Sequence, residues 1–161
     1  MPGKDAMIRA VLVGAGSAIG KEIAKRIAVM DGIELAGAVE RKGHPLAGRD
    51  IGEVIGLGPM NVFIEEKPGC IGDADVVLYF APREALLDYV RLARENNVSI
   101  VIGTRGMSPG ELERVRLHAA RTRCVLVPHL GLDDLSIREA IRAAKWVVGR
   151  RNGLYDMQDI V

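Results

Sequence analysis

A glycine-rich turn between an apolar stretch and an amphipathic stretch constrains this chain more than any other feature. The apolar residues 11–13 lead into Gly14-Ala15-Gly16-Ser17-Ala18-Ile19-Gly20, and helical periodicity follows directly. Glycine permits a sharp turn and a close approach of a ligand, and a helix N-terminus offers N–H groups to a pyrophosphate. The pattern predicts the first strand, turn and helix of a dinucleotide-binding unit. Because the spacing is GxGxxxG rather than GxGxxG, a tight strand–helix turn without a ligand is the alternative.

Short apolar stretches alternate with amphipathic ones along the rest of the chain. We expect strands at residues 7–13, 33–39, 61–64, 74–80, 98–102 and 123–127. We expect helices at residues 17–30, 82–96, 108–121 and 136–148, and a loop with at most one helical turn at residues 44–60. Ser108 and Glu111 are spaced as a helix-capping pair. This alternation predicts an α/β fold with a Rossmann-type, doubly wound parallel sheet in one domain over residues 1–161.

Composition excludes two classes of partner. The formal net charge is +1 and aromatic residues make up 4%, so neither a basic surface nor a base-stacking surface for nucleic acid is expected. No apolar run approaches the roughly 20 residues that span a bilayer. The two cysteines, Cys70 and Cys124, belong to no metal-binding or redox spacing. These features predict a soluble cytoplasmic protein with neither a nucleic-acid nor a membrane partner.

An acidic residue follows the second predicted strand. Glu40 lies about 20 residues after Gly20, where this fold places a carboxylate for the hydroxyl groups of the adenosine ribose. Arg41 and Lys42 come next and could bind a 2′-phosphate. The sequence therefore predicts that NAD and NADP are both accepted. A solvated charged turn is the alternative interpretation.

Three segments carry a resemblance to a known family. GIELAGAVERKGHPLAGRDIGEVIGLG at residues 32–58 resembles the N-terminal domain of bacterial dihydrodipicolinate reductase (4-hydroxy-tetrahydrodipicolinate reductase). VIGTRGMS at 101–108 resembles that family's VIGTTGFS loop, and the residues from 140 onward resemble its closing GLYDMxDVL segment. The resemblance covers nearly the whole chain. It implies an NAD(P)H-dependent oxidoreductase fold and a place in lysine biosynthesis.

The resemblance also implies a set of cofactor-binding residues. The set is Gly14, Gly16, Ser17, Ala18, Ile19, Gly20, Glu40, Arg41, Phe80, Gly103, Thr104 and Arg105. Two of these positions depart from the family turn GAxGRMG, because Ser17 and Ala18 replace a glycine and an arginine. Pyrophosphate must then rely on backbone N–H groups and the helix dipole.

The family's substrate domain has no counterpart in this chain. In the family that domain follows the sixth strand, binds the substrate, builds the tetramer and holds a His-His and Pro-Ser-Gly-Thr signature. Here residues 129–135 connect directly to the last helix, and neither motif is present. We therefore expect little or no reductase activity from the chain alone and no family-type tetramer, although a homodimer could form. No catalytic residue is assigned.

Several positions at the predicted ligand crevice differ in type from the family pattern. Tyr79, Ala81, Arg105 and His129 are expected at or beyond the carboxyl ends of strands four to six. His129 is the only candidate acid among three histidines, with bonding to a loop carbonyl as its alternative. His44 and His118 are expected to be solvated.

Two alternative functions therefore stay open. In one, the chain is a sensor or partner-binding module for another anionic small molecule. Tyr79 would then stack on a ring, and Arg105 would bind a phosphate or carboxylate. In the other, it is an active reductase completed by a second chain.

Overall fold

A seven-stranded parallel sheet forms the centre of the molecule. The computed structural model describes residues 7–103, 106–127 and 131–160. The strands are β1 Ile8–Val13, β2 Ile33–Val39, β3 Ile64–Glu65, β4 Val76–Tyr79, β5 Ser99–Ile102, β6 Arg123–Leu126 and β7 Gly153–Asp156. The helices are α1 Ala18–Ala28, α2 Ile51–Val54, α3 Leu86–Glu95, α4 Pro109–Ala119 and α5 Asp134–Val147. The spatial order is β3-β2-β1-β4-β5-β6-β7, with parallel pairing throughout.

Helices cover both faces of the sheet. Ile23 of α1 and Ile141 of α5 belong to one buried apolar cluster, whereas Val90 of α3 and Val115 of α4 belong to a second one. The central strand β4 is buried along its whole length, as expected for a parallel strand covered on both sides. The predicted doubly wound Rossmann-type fold is confirmed.

Side-chain caps define where α1 and α4 begin. The Ser17 hydroxyl caps α1. Ser108 and Glu111 form a reciprocal capping box at α4, with Pro109 in the first turn. Each cap satisfies N–H groups that have no partner inside the helix. The capping pair at α4 is the one that the sequence predicts, whereas the Ser17 cap was not predicted.

The third strand lies further along the chain than the predicted residues 61–64. Asn61 has a left-handed backbone (φ 59°), which an extended strand does not allow. The Asp50 carboxylate also accepts hydrogen bonds from the amides of Met60 and Asn61. Those amides are thereby held in a loop, and strand pairing begins only at Ile64.

The seventh strand was not predicted. β7 pairs in parallel with β6, with Gly153 opposite Arg123. It is short and half-buried, and a charged segment precedes it. Its extended form depends on the hydrogen bonds to β6, and local sequence does not encode that pairing.

Candidate functional site

A cleft opens where the order of the strands reverses. β1 lies between β2 and β4, and the carboxyl ends beside this switch point form the ligand crevice of open α/β sheets. The cleft has a volume of about 450 Å³. Its lining comes from the glycine turn, the loop after β2, the end of β4 with the segment that follows it, and α3. The lining residues include Gly14, Gly16, Ser17, Glu40, Arg41, His44, Glu66, Tyr79, Phe80, Ala81, Pro82, Glu84, Ala85 and Tyr89.

The outer glycines of the turn have no room for a side chain. Gly14 has φ +88°, and a Cβ there would lie 2.5 Å from the Phe80 carbonyl oxygen. A Cβ on Gly20 would lie 2.1 Å from the Gly14 carbonyl oxygen. The turn and the close packing of α1 on β1, which the sequence predicts, are therefore confirmed.

Ser17, which departs from the family pattern, turns its hydroxyl inward. Its Oγ donates to the Gly14 carbonyl (2.7 Å) and accepts from the Gly20 amide (2.9 Å). The amides of Ala18 and Ile19 lie in the first turn of α1, so no helical carbonyl can accept from them. The serine thus stabilises the turn and leaves these two amides for an anion.

Glu40 faces the glycine turn. Its Oε2 accepts a hydrogen bond from the Gly16 amide at 2.8 Å, and its Oε1 accepts one from the backbone amide of Arg41 at 3.1 Å. The side chain is only 10% exposed. The alternative of a solvated turn is wrong for Glu40, although Arg41 and Lys42 are exposed.

His44 also belongs to the cleft, so its expected solvation is wrong. Its side chain is 17% exposed, and its Nε2 lies 3.9 Å from Glu40 Oε2. Its Nδ1 accepts a hydrogen bond from the Leu46 amide at 3.1 Å. The pattern of apolar residues in the sequence does not indicate that His44 lies in the cleft, because its contact with Glu40 depends on how the loop after β2 folds.

Tyr79 lines the cleft as expected, but its ring does not have the stacking role expected for it. Its ring is fully buried, its hydroxyl donates to the Pro82 carbonyl, and it packs 5.4 Å from the Tyr89 ring. Burial raises the pKa of Tyr79 above its usual range. Stacking of this ring on a ligand is therefore wrong, because the ring is part of the core beneath α3.

Tyr89 is a cleft residue that the sequence did not single out. It is half-buried on α3, and burial, followed by the nearby Cys70 and Glu40, raises the pKa of its hydroxyl to about 12. Only the packing of α3 against the sheet brings it to the cleft. Phe80 is 8% exposed and lines the same cavity.

The remaining predicted residues lie elsewhere or are not described. Gly103 follows β5, and its amide donates to the Tyr79 carbonyl at 2.9 Å. Thr104, Arg105 and His129 lie outside the described residues. His118 is half-buried on α4 rather than solvated, and burial lowers its pKa. Both described cysteines are free thiols, with Cys124 buried.

The described ranges contain neither a cluster of metal-ligating side chains nor a helix that could span a membrane. Within residues 7–103, 106–127 and 131–160, no group of three or more His, Cys, Asp or Glu side chains could hold a metal ion. In the same ranges no helix has the length and apolar character needed to cross a bilayer.

The fold and the cleft together define a Rossmann-type dinucleotide-binding domain. The model of the family "Dihydrodipicolinate reductase, N-terminus" matches residues 8–130. The chain therefore belongs to the dihydrodipicolinate reductase family, as the sequence predicts.

Curated relatives agree with this assignment. The chain is 37% identical over 127 residues to 4-hydroxy-tetrahydrodipicolinate reductase of Syntrophus aciditrophicus, a match to 78% of this chain and 47% of the relative. It is 35% identical over 144 residues to the enzyme of the same name from Anaeromyxobacter sp. strain Fw109-5, a match to 89% and 53%. The chain thus spans about half the length of these relatives.

Solved structures share the fold. Dipicolinate-bound dihydrodipicolinate reductase from Paenisporosarcina sp. TG-14 superposes with a TM-score of 0.61 at 20% identity, over 76% of this chain and 48% of that one. GenD2 from gentamicin A biosynthesis, solved in complex with NAD, gives 0.57 at 13% identity, over 78% and 35%. At these identities the likeness shows the fold alone.

Proposed function

We propose that the chain binds NADH or NADPH in the cleft between the glycine turn and the loop after β2. The observation that carries this proposal is the Glu40 carboxylate held 2.8 Å from the Gly16 amide. A ribose diol can donate to this carboxylate. The pyrophosphate would then reach the first-turn amides of Ala18 and Ile19, where the helix dipole favours an anion.

The charges around Glu40 support binding of both cofactors. A 2′-phosphate would approach the Glu40 carboxylate, and like charges repel at short range. Arg41 and Lys42 are exposed beside it, and both can pair with a phosphate. We therefore expect NADH to bind at least as tightly as NADPH.

We also propose that this chain alone has little or no reductase activity. β6 ends at Leu126 and α5 begins at Asp134, so only residues 127–133 connect them. The family resemblance places the substrate domain at this connection, and residues 129–135 are proposed to replace it. Hydride transfer requires a substrate held about 3–3.5 Å from the cofactor, and so short a connection has little capacity to hold one.

Calorimetric titration of two glutamine variants tests the binding site. Glu40→Gln keeps the size of the side chain but replaces a charged acceptor with a neutral one. A hydrogen bond to a charged group contributes about 1.5–3 kcal/mol and a neutral one about 0.5–1.5 kcal/mol. The difference of about 1–1.5 kcal/mol corresponds to NADH binding about five- to tenfold more weakly. The ratio of NADPH to NADH affinity should rise because the repulsion is gone. Glu34→Gln is the matched control, because Glu34 lies exposed at the other end of β2.

Two results would contradict the proposal. Equal NADH affinity in the Glu40→Gln and Glu34→Gln variants would show that Glu40 does not contribute to NADH binding. Steady turnover of the family's dihydrodipicolinate-type substrate with NADPH by the purified chain would show that the domain is active without a substrate domain. An activity that appears only after a second chain is added would favour the completed-reductase alternative.

A further inference from the structure

We propose that His44 is a further nucleotide-binding residue, whose Nε2–H donates a hydrogen bond to a ribose or phosphate oxygen on the adenosine side of the dinucleotide. This inference rests on the proposed function. It assigns a ligand contact to a side chain that the sequence did not mark as part of the site.

The imidazole ring of His44 packs closely against Gly16 of the turn. A Cβ on Gly16 would lie 2.6 Å from His44 Cε1 and 2.9 Å from Nε2. The same point lies 3.1 Å from Glu40 Oε2. The ring edge and the carboxylate therefore meet above Gly16, the glycine of the turn at which a pyrophosphate approaches the backbone.

A hydrogen bond to Nδ1 determines the tautomer of the His44 ring. Nδ1 accepts the Leu46 amide hydrogen bond, so in the neutral ring Nδ1 carries no proton and Nε2 carries it. Nε2 is 3.9 Å from Glu40 Oε2, which is beyond hydrogen-bond distance. No hydrogen bond joins Nε2 to another residue in the described parts of the chain. The loop thus fixes a donor that faces the cleft without using it.

Neighbouring groups around the turn suit different atoms of a nucleotide. Glu40 has only acceptors to offer and suits ribose hydroxyl donors. The α1 amides suit phosphate oxygens. His44 Nε2–H stands beside both Gly16 and Glu40, where the ribose and its 5′-phosphate would join. A donor at that junction complements the ester and phosphate oxygens that the carboxylate repels.

A purely structural role for His44 makes a different prediction. If the ring only anchors the loop through Leu46 and packs on Gly16, the acceptor Nδ1 is the atom that matters. Asn and Gln separate the two roles. Asn places an amide oxygen near the position of Nδ1 and has nothing at Nε2, whereas Gln extends an amide N–H towards the position of Nε2.

The experiment compares His44→Asn and His44→Gln with the wild-type chain by calorimetric titration with NADH and with ADP-ribose. Urea unfolding of each variant confirms that it is folded. We expect His44→Asn to weaken both ligands about five- to tenfold and His44→Gln to stay within about threefold of wild type. Equal losses for NADH and ADP-ribose exclude a contact between His44 and the nicotinamide ring.

A spectroscopic measurement on the wild-type chain needs no variant. Long-range ¹H–¹⁵N correlation spectra of the imidazole should show the Nε2–H tautomer for His44 in the free protein. Addition of ADP-ribose should shift the Nε2 resonance much more than the Nδ1 resonance. An Nδ1–H tautomer, or an Nε2 resonance unmoved at saturating ADP-ribose, would overturn the inference.

The outcomes also separate this inference from the proposed function. Unchanged affinity in His44→Asn, or a loss confined to His44→Gln, overturns the role of His44 while NADH binding and the effect of Glu40→Gln stand. If the wild-type chain binds neither NADH nor NADPH, the proposed function fails and the inference fails with it.

Discussion

Replacement of Gly20 by alanine tests the contact on which the whole site is built. The new Cβ would lie 2.1 Å from the Gly14 carbonyl oxygen and 3.0 Å from Ser17 Oγ, against 3.4–4 Å for ordinary contacts. Because the nearer atom belongs to the backbone, the start of α1 must move away from β1 by about 1 Å. Gly14 cannot yield easily, since its own backbone is packed against the Phe80 carbonyl.

The size of the effect follows from two opposing contributions. Overpacking costs about 1–3 kcal/mol of unfolding free energy and occasionally more. Because the clash here is with backbone, we expect a cost of about 4 kcal/mol, above this range. Alanine returns about 1 kcal/mol through its helix propensity. The net loss of unfolding free energy is about 3 kcal/mol, which lowers Tm by about 6–12 °C in a domain of this size.

The assay is urea unfolding followed by circular dichroism, with Gly110→Ala as the matched control. Gly110 also lies in the first turn of a helix, but a Cβ there meets only Ser108 Oγ at 3.9 Å. The control should equal or exceed the wild type in stability. If Gly20→Ala is as stable as Gly110→Ala, then α1 does not approach β1 as closely as the structure shows. The first-turn amides of α1 would then not be placed to bind a pyrophosphate.

Three further predictions concern stability. Ser17→Ala removes the cap on the Gly20 amide and should cost about 1 kcal/mol of unfolding free energy; an unchanged urea midpoint would contradict that cap. Thr122→Val removes the buried hydroxyl that donates to the Val98 carbonyl at 2.7 Å. Urea unfolding should show a loss of about 1–3 kcal/mol of unfolding free energy, and a gain from the added methyl group would contradict the role of this hydrogen bond. Burial raises the pKa of the Cys124 thiol to about 12 from about 9. Because the thiol ionises first in the unfolded chain, its contribution to stability is complete below pH 9 and is lost as pH rises towards 12. A Cys124→Ala variant should lose less unfolding free energy over that pH range, and a loss identical to that of the wild type would show that the thiol is not its cause.

The sequence predicted those parts of the fold that local chemistry determines. β2 has the predicted bounds, and the cap at Ser108 is present as expected. Gly14 and Gly20 could be recognised because a turn against a helix leaves no room for Cβ at these positions. The relation of Glu40 to the glycine turn follows from the regular geometry of a βαβ unit.

The parts that were missed depend on contacts between distant segments. The position of His44 is set by how the loop after β2 folds back over Gly16, which no periodicity encodes. Tyr79 ends a buried strand, and whether its ring faces the ligand or the core depends on α3, which here supplies Tyr89 as its neighbour. β7 exists because β6 offers a free edge on which it can pair.

A crystal structure of the chain grown with millimolar NADH would show whether the dinucleotide binds at the glycine turn. We expect the adenosine ribose to contact the Glu40 carboxylate and the pyrophosphate to contact the amides of Ala18 and Ile19. The His44 Nε2 atom should lie within hydrogen-bond distance of the ligand. An empty cleft at that concentration, or a nucleotide bound away from the glycine turn, would contradict the proposed binding site.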